Sequence, residues 1–517
     1  MSIVAVVVSG VGFSPASAEE SLTGRYEEVV LVPVDGSTIT SGFRTYAGSL
    51  RVSGHDDGLA LVEEVDPETY LTGIEEVPYS WHPEALKAQA VAARTYLAWT
   101  LRNGRTRSGF RYGYDICATD SCQVYGGIGL ARSAFGSPWT AAVTSTAGEM
   151  VLHGQRPAQA LYSSTTGGAT RSVQDVFPGA PAVPYLSAVP SPNEESPFVE
   201  WTVRITERNL ERLLRHGGIV SGDLIDIGVE TTEDGQGPWH VRVVSEGGTA
   251  VVSTWELRTI INRAAGELMP DEYPSLRPDG RRYPQTVLSP TYQIDTVHEF
   301  SGIELVEWFR IETIYEFEGK GWGHMVGLSQ YGAQAMADQG VAYRNILSHY
   351  YQGLITASAP DLLPPTVAVG IATAEPELVL RPDGWVEVFA DGAKVAEGAL
   401  GDWWFEAVEG ELMVHAPAGV GLPPTLRDGA ARTALRYHQS LLGGVTLTAP
   451  ADVRITVVVG PGSEVIRDWS PAAAGRIVFA WDGRRRDWDG RTVTVVVEAQ
   501  SPYGRDRLDL TLVGGSD

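Results

Sequence analysis

Apolar and polar residues alternate in short runs over the first 65 residues of the chain. Val29 to Val34, Ser49 to Val52 and Leu59 to Val65 show this strand pattern, and Gly-Ser and Asp-Gly turn signals separate them. Pro83 and Glu84 then suit the start of a helix, and strong helix formers follow as ALKAQAVAARTYLAW. Because this alanine-rich stretch lacks a polar stripe, the helix is predicted to be buried, and its few polar residues then need partners.

Strand and helix patterns alternate through the middle of the chain. The helical candidates are Glu207 to Arg215, Trp255 to Ala265, Ala333 to Gly340 and Tyr343 to Tyr351. The segment IETIYEFEGK alternates as a strand, whereas residues 269–300 are rich in proline and polar residues and show no period. We therefore expect residues 269–300 to form a surface excursion or an insertion.

The pattern changes to β-rich after the proline-rich stretch APDLLPPT. Val, Thr and Gly dominate from there, with turn signals about every 10 residues. We predict an α+β fold, with one α+β domain at residues 40–355, a β-rich module at 366–445 and a β-sandwich at 446–517. The WDGRRRDWDG corner near the end resembles the flagellar hook-cap (FlgD-type) immunoglobulin-like module of secreted bacterial proteins.

Composition and charge narrow the class of protein. Hydrophobic residues make up 43% and charged residues 20% of the 517 residues, which is the balance of a globular chain of roughly three domains. The formal net charge is −25, and no acidic run concentrates it. A charge of this sign repels nucleic-acid backbones and anionic membranes, so no nucleic-acid partner is expected.

The N-terminus has the composition of an export signal. An apolar stretch from Ile3 to Phe13 is too short to span a bilayer, and Ala16-Ser17-Ala18 follows it. We predict a signal peptide at residues 1–18 and a secreted, cell-wall location; an ordinary buried strand is the alternative reading. Since no other run reaches about 18 apolar residues, no integral membrane segment is expected after cleavage.

The two cysteines, Cys117 and Cys122, are spaced C-x4-C. In an exported chain such a pair is most economically a disulfide, and the alternatives are half of a metal site or two free thiols. A zinc site wants four nitrogen or sulfur ligands, and no histidine is near in the sequence. We therefore predict a disulfide, and neither a metal nor a cofactor.

Three motifs contain residue types that a purely structural role does not require. YLTGIEEVPYSWHPEALKAQAVAARTY, CQVYGG followed by YSSTTGG, and GKGWGHMVGLSQYGA occur in this order. Together they resemble the sporulation stage II D / LytB amidase-enhancer family, from about residue 40 to about 355. The resemblance implies peptidoglycan as the substrate. It implies lytic transglycosylase chemistry for the sporulation branch and enhancement of a wall amidase for the LytB branch.

One carboxylic acid is enough for such cleavage. It protonates the leaving oxygen while the muramyl 6-hydroxyl attacks its own anomeric carbon, so no second carboxylate is needed. The candidates are Glu75, Glu76 and Glu84, and a position in the first helical turn lowers the pKa of Glu84 and makes it a poor acid. Glu76 matches the acid before the hydrophobe-Pro step of the family motif. It is predicted to be catalytic, against the alternative of a solvent-exposed loop carboxylate.

The remaining candidates form a substrate-binding set. It comprises Lys87, Gln89, Arg94, Tyr162, Ser163, Ser164, Gly167, His324, Ser329, Gln330 and Tyr331. Lys87 and Arg94 fall on one face of the buried helix, where they meet either the lactyl carboxylate of muramic acid or interior acids. His324 either assists binding and proton transfer or fixes its own loop. The glycines at 319, 321, 323 and 327 would let the backbone approach a sugar, and Met325 stands where many relatives carry glycine, which predicts a tighter groove.

We predict a secreted lytic transglycosylase that cuts the MurNAc-GlcNAc strand and leaves 1,6-anhydro-MurNAc ends. The first alternative is a non-catalytic wall-binding protein that enhances an N-acetylmuramoyl-L-alanine amidase. The second is a surface adhesin whose β modules dominate. The expected partners are therefore peptidoglycan glycan strands and a cell-wall amidase.

Overall fold

The computed structural model describes most of the chain. The described residues are 7–10, 22–231, 239–277, 279–304, 308–399, 401–417, 426–433, 440–449, 451–472, 474–482, 492–501 and 504–513. They form two compact units, each built from segments that are distant in sequence. The first unit comprises residues 1–76, 104–133 and 364–517, and the second comprises residues 77–103 and 134–363.

The first unit is mainly β. Its short helices are Pro67–Thr72 and Arg107–Tyr112. Its strands are Val7–Gly10, Gly24–Tyr26, Glu28–Pro33, Ile39–Ser41, Arg44–Tyr46, Ser49–His55, Gly58–Val65, Ile116–Cys117, Val367–Glu375, Glu377–Pro382, Trp385–Ala390, Ala393–Ala399, Trp403–Val408, Glu411–His415, Leu426–Thr433, Ser440–Leu447, Ala451–Val459, Gly462–Ala472, Gly475–Asp482, Thr492–Ser501 and Gly504–Val513.

Two sheets of the first unit combine strands from both ends of the chain. In the seven-stranded sheet, Val367–Glu375 pairs with Gly58–Val65, and Trp385–Ala390 pairs with Glu28–Pro33. In the six-stranded sheet, Glu377–Pro382 pairs with Ile39–Ser41. The change of composition near residue 360 therefore does not divide the sheets, and the strands from Val367–Glu375 to Glu411–His415 complete sheets that begin near residue 24. Leu426–Thr433 and Ser440–Leu447, at the end of the expected 366–445 module, instead pair with each other.

The C-terminal strands form a two-sheet arrangement. A five-stranded sheet holds Ala451–Val459 and Thr492–Ser501, a three-stranded sheet holds Ser440–Leu447 and Gly475–Asp482, and side chains of both sheets share one core. Val7–Gly10 pairs with the last strand, whereas the other residues of the predicted signal peptide lie outside the described residues. The signal peptide and the immunoglobulin-like type of the module stay predictions.

The second unit is mixed α and β. Its helices are Pro83–Asn103, Ser137–Ser145, Val173–Val176, Glu207–His216, Thr254–Leu268, Gln330–Asp338 and Tyr343–Tyr350, with 3-10 turns at Pro184–Leu186 and Pro360–Leu362. Its strands are Glu149–His153, Arg156–Pro157, Tyr162–Ser163, Gly168–Ala169, Pro190–Ser191, Glu200–Thr206, Leu224–Glu230, His240–Ser245, Gly248–Ser253, Tyr292–Glu304, Trp308–Lys320, Leu328–Ser329 and Ile355–Ser358. The predicted α+β class is thereby confirmed.

The helix Pro83–Asn103 lies in the core of the second unit. Twelve of its residues are buried, including alanines on several faces, so the prediction of a buried helix is confirmed. Small alanine side chains let neighbouring elements approach the helix closely. The described residues include no helix long and apolar enough to span a bilayer.

The structure corrects part of the prediction made for residues 269–300. Val287 and Leu288 have no exposed surface, and the amide of Asn262, on the helix Thr254–Leu268, hydrogen-bonds to the backbone of Val287. From Tyr292 onwards the chain is a strand. The later part of the segment is therefore packed against a helix, which corrects the prediction there, whereas most of the described residues between 270 and 282 are exposed. Its burial depends on tertiary contacts that leave no period in the sequence.

Candidate functional site

In the first unit, Glu76 lies in a half-buried position with a fixed carboxylate. The segment Gly73–Glu76 runs beside the CQVYGG segment (Cys122–Gly127), and the Val124 N–H donates to Glu76 Oε1 at 2.7 Å. The Glu75 N–H donates to the Val124 carbonyl at 2.9 Å, so the two segments are joined on both sides of the pair. Glu76 is thus held by backbone and is not a freely moving loop carboxylate.

Its neighbour Glu75 has a different environment. A Cβ atom on Gly126 would lie 2.1 Å from the Glu75 carboxyl carbon, so a larger residue at 126 would displace the Glu75 carboxyl group from this position. Burial raises the pKa of Glu75 above its usual value, although the positive charge of Arg44 opposes the shift. Two adjacent carboxyl groups therefore differ in role: backbone holds Glu76, and burial favours the protonated form of Glu75.

A buried carboxyl group supports the CQVYGG segment from inside. Tyr125 donates to Glu63 Oε2 at 2.7 Å, and the Gly48 N–H donates to Glu63 Oε1 at 2.9 Å. Burial raises the pKa of Glu63 to about 7, and the hydrogen bonds from Tyr125 and the backbone only partly offset it. Arg44 donates to the Tyr125 carbonyl at 2.9 Å on the same segment.

Cys117 and Cys122 form a disulfide directly before this segment, with 5.5 Å between their Cα atoms. The covalent link shortens the free chain that leads into Gln123, whose side chain is fully buried and accepts a hydrogen bond from the Tyr70 hydroxyl. The CQVYGG segment is therefore anchored at its start by a bond and along its length by buried side chains. Within the described part of the chain, no group of three His, Cys, Asp or Glu side chains could hold a metal ion.

Glu84 and Lys87 lie in the second unit, in the first turn of its buried helix. Lys87 pairs with Glu84 at 2.8 Å, and the Tyr343 N–H donates to the same carboxylate at 2.8 Å. Burial by itself would raise the pKa of Glu84, but these hydrogen bonds outweigh it and lower the pKa. Glu84 is therefore a poor proton donor, as predicted, although its direct partners supply the cause. Lys87 pairs with an acid of its own helix. This agrees with the predicted alternative in which Lys87 pairs with an acid of the protein and not with the lactyl carboxylate of muramic acid.

Arg94 and Gln89 are too buried to meet a substrate in this structure. Arg94 has no exposed surface, and its guanidinium donates to the Val143 carbonyl at 3.1 Å. Arg94 was predicted to bind substrate, and this prediction is corrected. Its side chain instead links the helix Pro83–Asn103 to the helix Ser137–Ser145 inside the second unit. Gln89 is 2% exposed, and neither atom of its amide has a hydrogen-bond partner among the described residues.

The hydroxyl segment, Tyr162–Gly168 (YSSTTGG), lies against the glycine loop, Gly319–Gly327. The Trp322 N–H donates to the Thr165 carbonyl at 2.9 Å, and the Met325 N–H donates to the Ser163 hydroxyl at 3.1 Å. The Tyr331 N–H donates to the Ser164 carbonyl at 3.0 Å. Two of the predicted motifs, some 160 residues apart in sequence, are thus joined by backbone hydrogen bonds.

The glycines of the loop face the protein itself. A Cβ atom would lie within 2.7 Å of a protein atom at each of Gly319, Gly321, Gly323 and Gly327. At Gly321 the backbone has φ +77°, and the atom in the way is the Thr165 carbonyl oxygen at 2.6 Å. The close approach predicted for a sugar is therefore made by protein atoms. They belong to the hydroxyl segment at Gly321 and Gly323, to Trp201 at Gly319 and to the Leu161 carbonyl at Gly327. Met325 is buried and has φ +63°, the conformation that glycine adopts most easily, so its side chain does not line an open groove.

His324 fixes the glycine loop. The Val326 N–H donates to its Nδ1 atom at 3.0 Å, and the Tyr162 carbonyl accepts from the ring as well. Burial, reinforced by the positive charge of Arg258, lowers the pKa of His324 to about 4. The imidazole is therefore neutral at physiological pH and occupied by backbone, which favours the loop-fixing reading over proton transfer.

Sequence analysis missed Glu194, which lies at the centre of the hydroxyl groups. It is 8% exposed and accepts hydrogen bonds from Thr165, Thr166, Gly167, Ser191 and Ser329. Burial would raise the pKa of Glu194, but the hydrogen bonds, those of Ser329 and Thr165 foremost, lower it overall. The carboxylate is therefore ionised at neutral pH. Its only sequence signal is an acid in a loop, SPNEES, which many surface loops share.

Several predicted residues stay accessible in the second unit. Ser164, Gly167, Tyr162 and Tyr331 are partly exposed, whereas Ser163, Ser329 and Gln330 are buried. The Tyr331 ring meets Trp81 edge to face at 4.9 Å between centroids, and Trp81 is also partly exposed. Trp81 precedes the buried helix within the first motif, so an aromatic residue at that point was the available signal.

Comparison with known proteins agrees with these motifs. The sequence model of the SpoIID family, described as Stage II sporulation protein, matches residues 55–153. The chain is 29% identical over 325 residues to Stage II sporulation protein D of Bacillus amyloliquefaciens, covering 60% of this chain and 79% of that protein. It is 28% identical over 309 residues to the Amidase enhancer of Bacillus subtilis (strain 168), covering 55% of this chain and 39% of that protein. Residues 55–153 are thus similar to the SpoIID family, and the similarity to the named relatives extends over more than half of the chain.

Proposed function

We propose that this protein is a secreted lytic transglycosylase of peptidoglycan, with Glu76 as the general acid. The observation that carries the proposal is the Glu76 carboxylate, half-buried and held at 2.7 Å by the Val124 N–H within the SpoIID match. A general acid must keep one orientation through the reaction, and a backbone donor provides that orientation. The similarity to relatives named Stage II sporulation protein D also supports this proposal.

The reaction needs one carboxyl group that acts twice. Protonated Glu76 gives its proton to the bridging oxygen, and the bond between that oxygen and the anomeric carbon of MurNAc breaks. The 6-hydroxyl of the same MurNAc forms a new bond to the anomeric carbon, and its proton passes to the Glu76 carboxylate. The acid is regenerated, no water is consumed, and the product ends in 1,6-anhydro-MurNAc.

The second unit would contribute glycan binding. The Ser164 side chain is partly exposed on the hydroxyl segment, and the partly exposed pair Trp81 and Tyr331 offers aromatic surface. Hydroxyl groups can exchange hydrogen bonds with sugar hydroxyls, while aromatic faces pack on the apolar faces of sugar rings. The exported location and a spacing role for the FlgD-type C-terminal module belong to this proposal.

A second function has its own support. The chain aligns with a protein named Amidase enhancer, so a wall-binding protein that enhances an amidase is the alternative. In that case the second unit would still bind glycan, and Glu76 would have no chemical role.

The decisive experiment compares Glu76→Gln with its neighbour Glu75→Gln. Both variants remove one carboxyl group and keep side-chain shape, so a difference between them reports the role of the position. Glu76→Gln should lower the release of soluble fragments from amidase-treated wall by roughly 10²–10⁴-fold, the usual effect of losing general acid catalysis. Glu75→Gln should retain most of the activity. Mass spectrometry should show anhydro ends, which are one water lighter than hydrolysed ends.

Three results would overturn the proposal. Reducing muramic acid ends would indicate a hydrolase. Wild-type protein that binds wall, releases no fragments and stimulates an added amidase would establish the enhancer function instead. Loss of activity in Glu75→Gln but not in Glu76→Gln would transfer the acid role to Glu75, whose pKa burial raises.

A further inference from the structure

We propose that Glu194 is the positioning residue of the glycan-binding surface: its buried carboxylate sets the turn Thr165–Gly167 and so presents the Ser164 side of the hydroxyl segment to the glycan. This inference rests on the proposed function, because it assigns a ligand to the hydroxyl segment. Glu194 itself does not touch the glycan.

The Glu194 carboxylate accepts six hydrogen bonds from the described residues. Oε2 accepts from the Thr165 hydroxyl at 2.5 Å and from the Thr166 and Gly167 N–H groups at 2.8 Å each. Oε1 accepts from the hydroxyls of Thr166 and Ser191 at 2.7 Å each and from that of Ser329 at 2.5 Å. Each oxygen therefore accepts three hydrogen bonds, and together they join three separate segments of the chain.

The ionised carboxylate dictates the direction of these bonds. It can only accept, so the hydroxyls of Thr165, Thr166, Ser191 and Ser329 all point their protons inwards. Each of these four residues is at most 2% exposed. They are therefore not available to a sugar, whereas Ser164 is partly exposed and is the residue between them that we assign to glycan contact.

The same carboxylate also connects the turn to its surroundings. Ser329 caps the helix Gln330–Asp338 by accepting from the Gly332 N–H at 3.2 Å, while its own proton goes to Glu194. Ser191 is within 2.7 Å of the Tyr350 hydroxyl as well. Removing the carboxylate would leave two backbone N–H groups of the turn and several hydroxyls without an acceptor inside the protein, which favours rearrangement of the turn.

Two variants separate positioning from simple stability. In Glu194→Ala the acceptor is lost entirely. In Glu194→Gln the amide oxygen can face the two N–H groups, and the amide nitrogen can donate its two protons to two of the three hydroxyls of Thr166, Ser191 and Ser329, which can rotate to accept. Gln should therefore rescue the turn that Ala disrupts. The matched control is Glu195→Gln, because Glu195 is the adjacent acid and is exposed.

The experiment measures two quantities on folded protein. Hydrogen exchange of the Thr166 and Gly167 amides reports the turn, and binding of a peptide-free MurNAc-GlcNAc tetrasaccharide reports the surface. We expect Glu194→Ala to accelerate exchange at both amides and to raise Kd at least about tenfold, the value of roughly one well-placed hydrogen bond. Glu194→Gln and Glu195→Gln should stay close to wild type in both measurements.

The possible results are distinguishable. If folded Glu194→Ala binds the tetrasaccharide as wild type does, Glu194 is only a stabilising residue and the inference is wrong, whatever its exchange rates. If Glu194→Gln fails to restore binding while it restores the amide protection, the turn is not what the glycan requires, and the inference is also wrong. If wild-type protein itself neither binds nor cleaves glycan, the proposed function fails first and the glycan role of Glu194 fails with it.

Discussion

Glu63 shows how one side chain can couple stability to pH. It has no exposed surface and carries a pKa of about 7 in the folded protein against an ordinary value of 4.5. A carboxyl group whose folded pKa is raised stays protonated in the fold while the unfolded chain ionises. Its contribution to stability is therefore complete below about pH 4.5 and is lost as the pH rises through about 7.

We predict that Glu63→Gln reduces this pH dependence. The rise of the Glu63 pKa from 4.5 to about 7 corresponds to a loss of stability of about 3 kcal/mol between pH 4.5 and 8. Urea denaturation at pH 5 and pH 8 should show a smaller fall in stability for Glu63→Gln than for wild type. Glu64→Gln is the control, because Glu64 is exposed on the same strand. An equal fall in Glu63→Gln and wild type would contradict the prediction.

Single residues also show which site predictions depended on context. Arg94 and His324 were selected because polar side chains in a buried helix or a glycine loop need partners. Both find them in nearby backbone carbonyls or N–H groups. The sequence does not indicate whether such a side chain bonds to the protein or to a ligand, because both offer the same types of donor and acceptor groups. Glu194 was missed because most of its donors, in Thr165–Gly167 and at Ser329, lie at least 27 residues away in the sequence.

At the scale of elements, local sequence predicted helices well. The helix expected at Glu207 to Arg215 is observed at Glu207–His216, and that expected at Trp255 to Ala265 is observed at Thr254–Leu268. In the second case Ser253 and Glu256 form a capping box at the start. Such signals act within one or two turns, so they survive without knowledge of the fold.

The pairing of the glycine loop with the hydroxyl segment gives a prediction at this scale. Gly321→Ala would place a methyl group 2.6 Å from the Thr165 carbonyl oxygen and would keep an unfavourable φ of +77°. Gly340→Ala is the matched control, because Gly340 has φ +83° and open space around the added atom. Both variants bear the conformational cost of about 1 kcal/mol, but only Gly321→Ala also bears the steric clash.

Thermal and urea denaturation should therefore show Gly321→Ala to be less stable than Gly340→Ala by at least about 1 kcal/mol. Binding of the tetrasaccharide should weaken in Gly321→Ala alone, because the clash displaces the hydroxyl segment. Equal stability and equal binding of the two variants would show that the loop and the segment can separate without consequence.

At the scale of the whole molecule, sheet pairing sets which parts of the chain can be removed. The strands Val367–Glu375, Trp385–Ala390 and Glu377–Pro382 lie in sheets with strands from the first 65 residues. Their removal would expose the backbone hydrogen-bonding groups and apolar faces of Gly58–Val65 and Glu28–Pro33.

We therefore predict that a chain ending at residue 363 is aggregated or unfolded, whereas a chain ending at residue 417 keeps both of these sheets and is folded. Circular dichroism and size-exclusion chromatography of the two truncated proteins test the difference. A folded, monomeric chain ending at residue 363 would instead support the domain boundary expected from composition.

The sequence by itself determined the α+β class, the helices and the motifs, because helix propensity, alternation and glycine turns act over a few residues. It also singled out Glu76, through a resemblance to a family motif. Tertiary structure alone decided the sheets shared by both ends of the chain and the burial of Arg94. It also decided the orientation of the loop glycines towards protein and the six hydrogen bonds of Glu194. These features join residues that are far apart in sequence, and strand patterns specify that a strand forms but not which partner it pairs with.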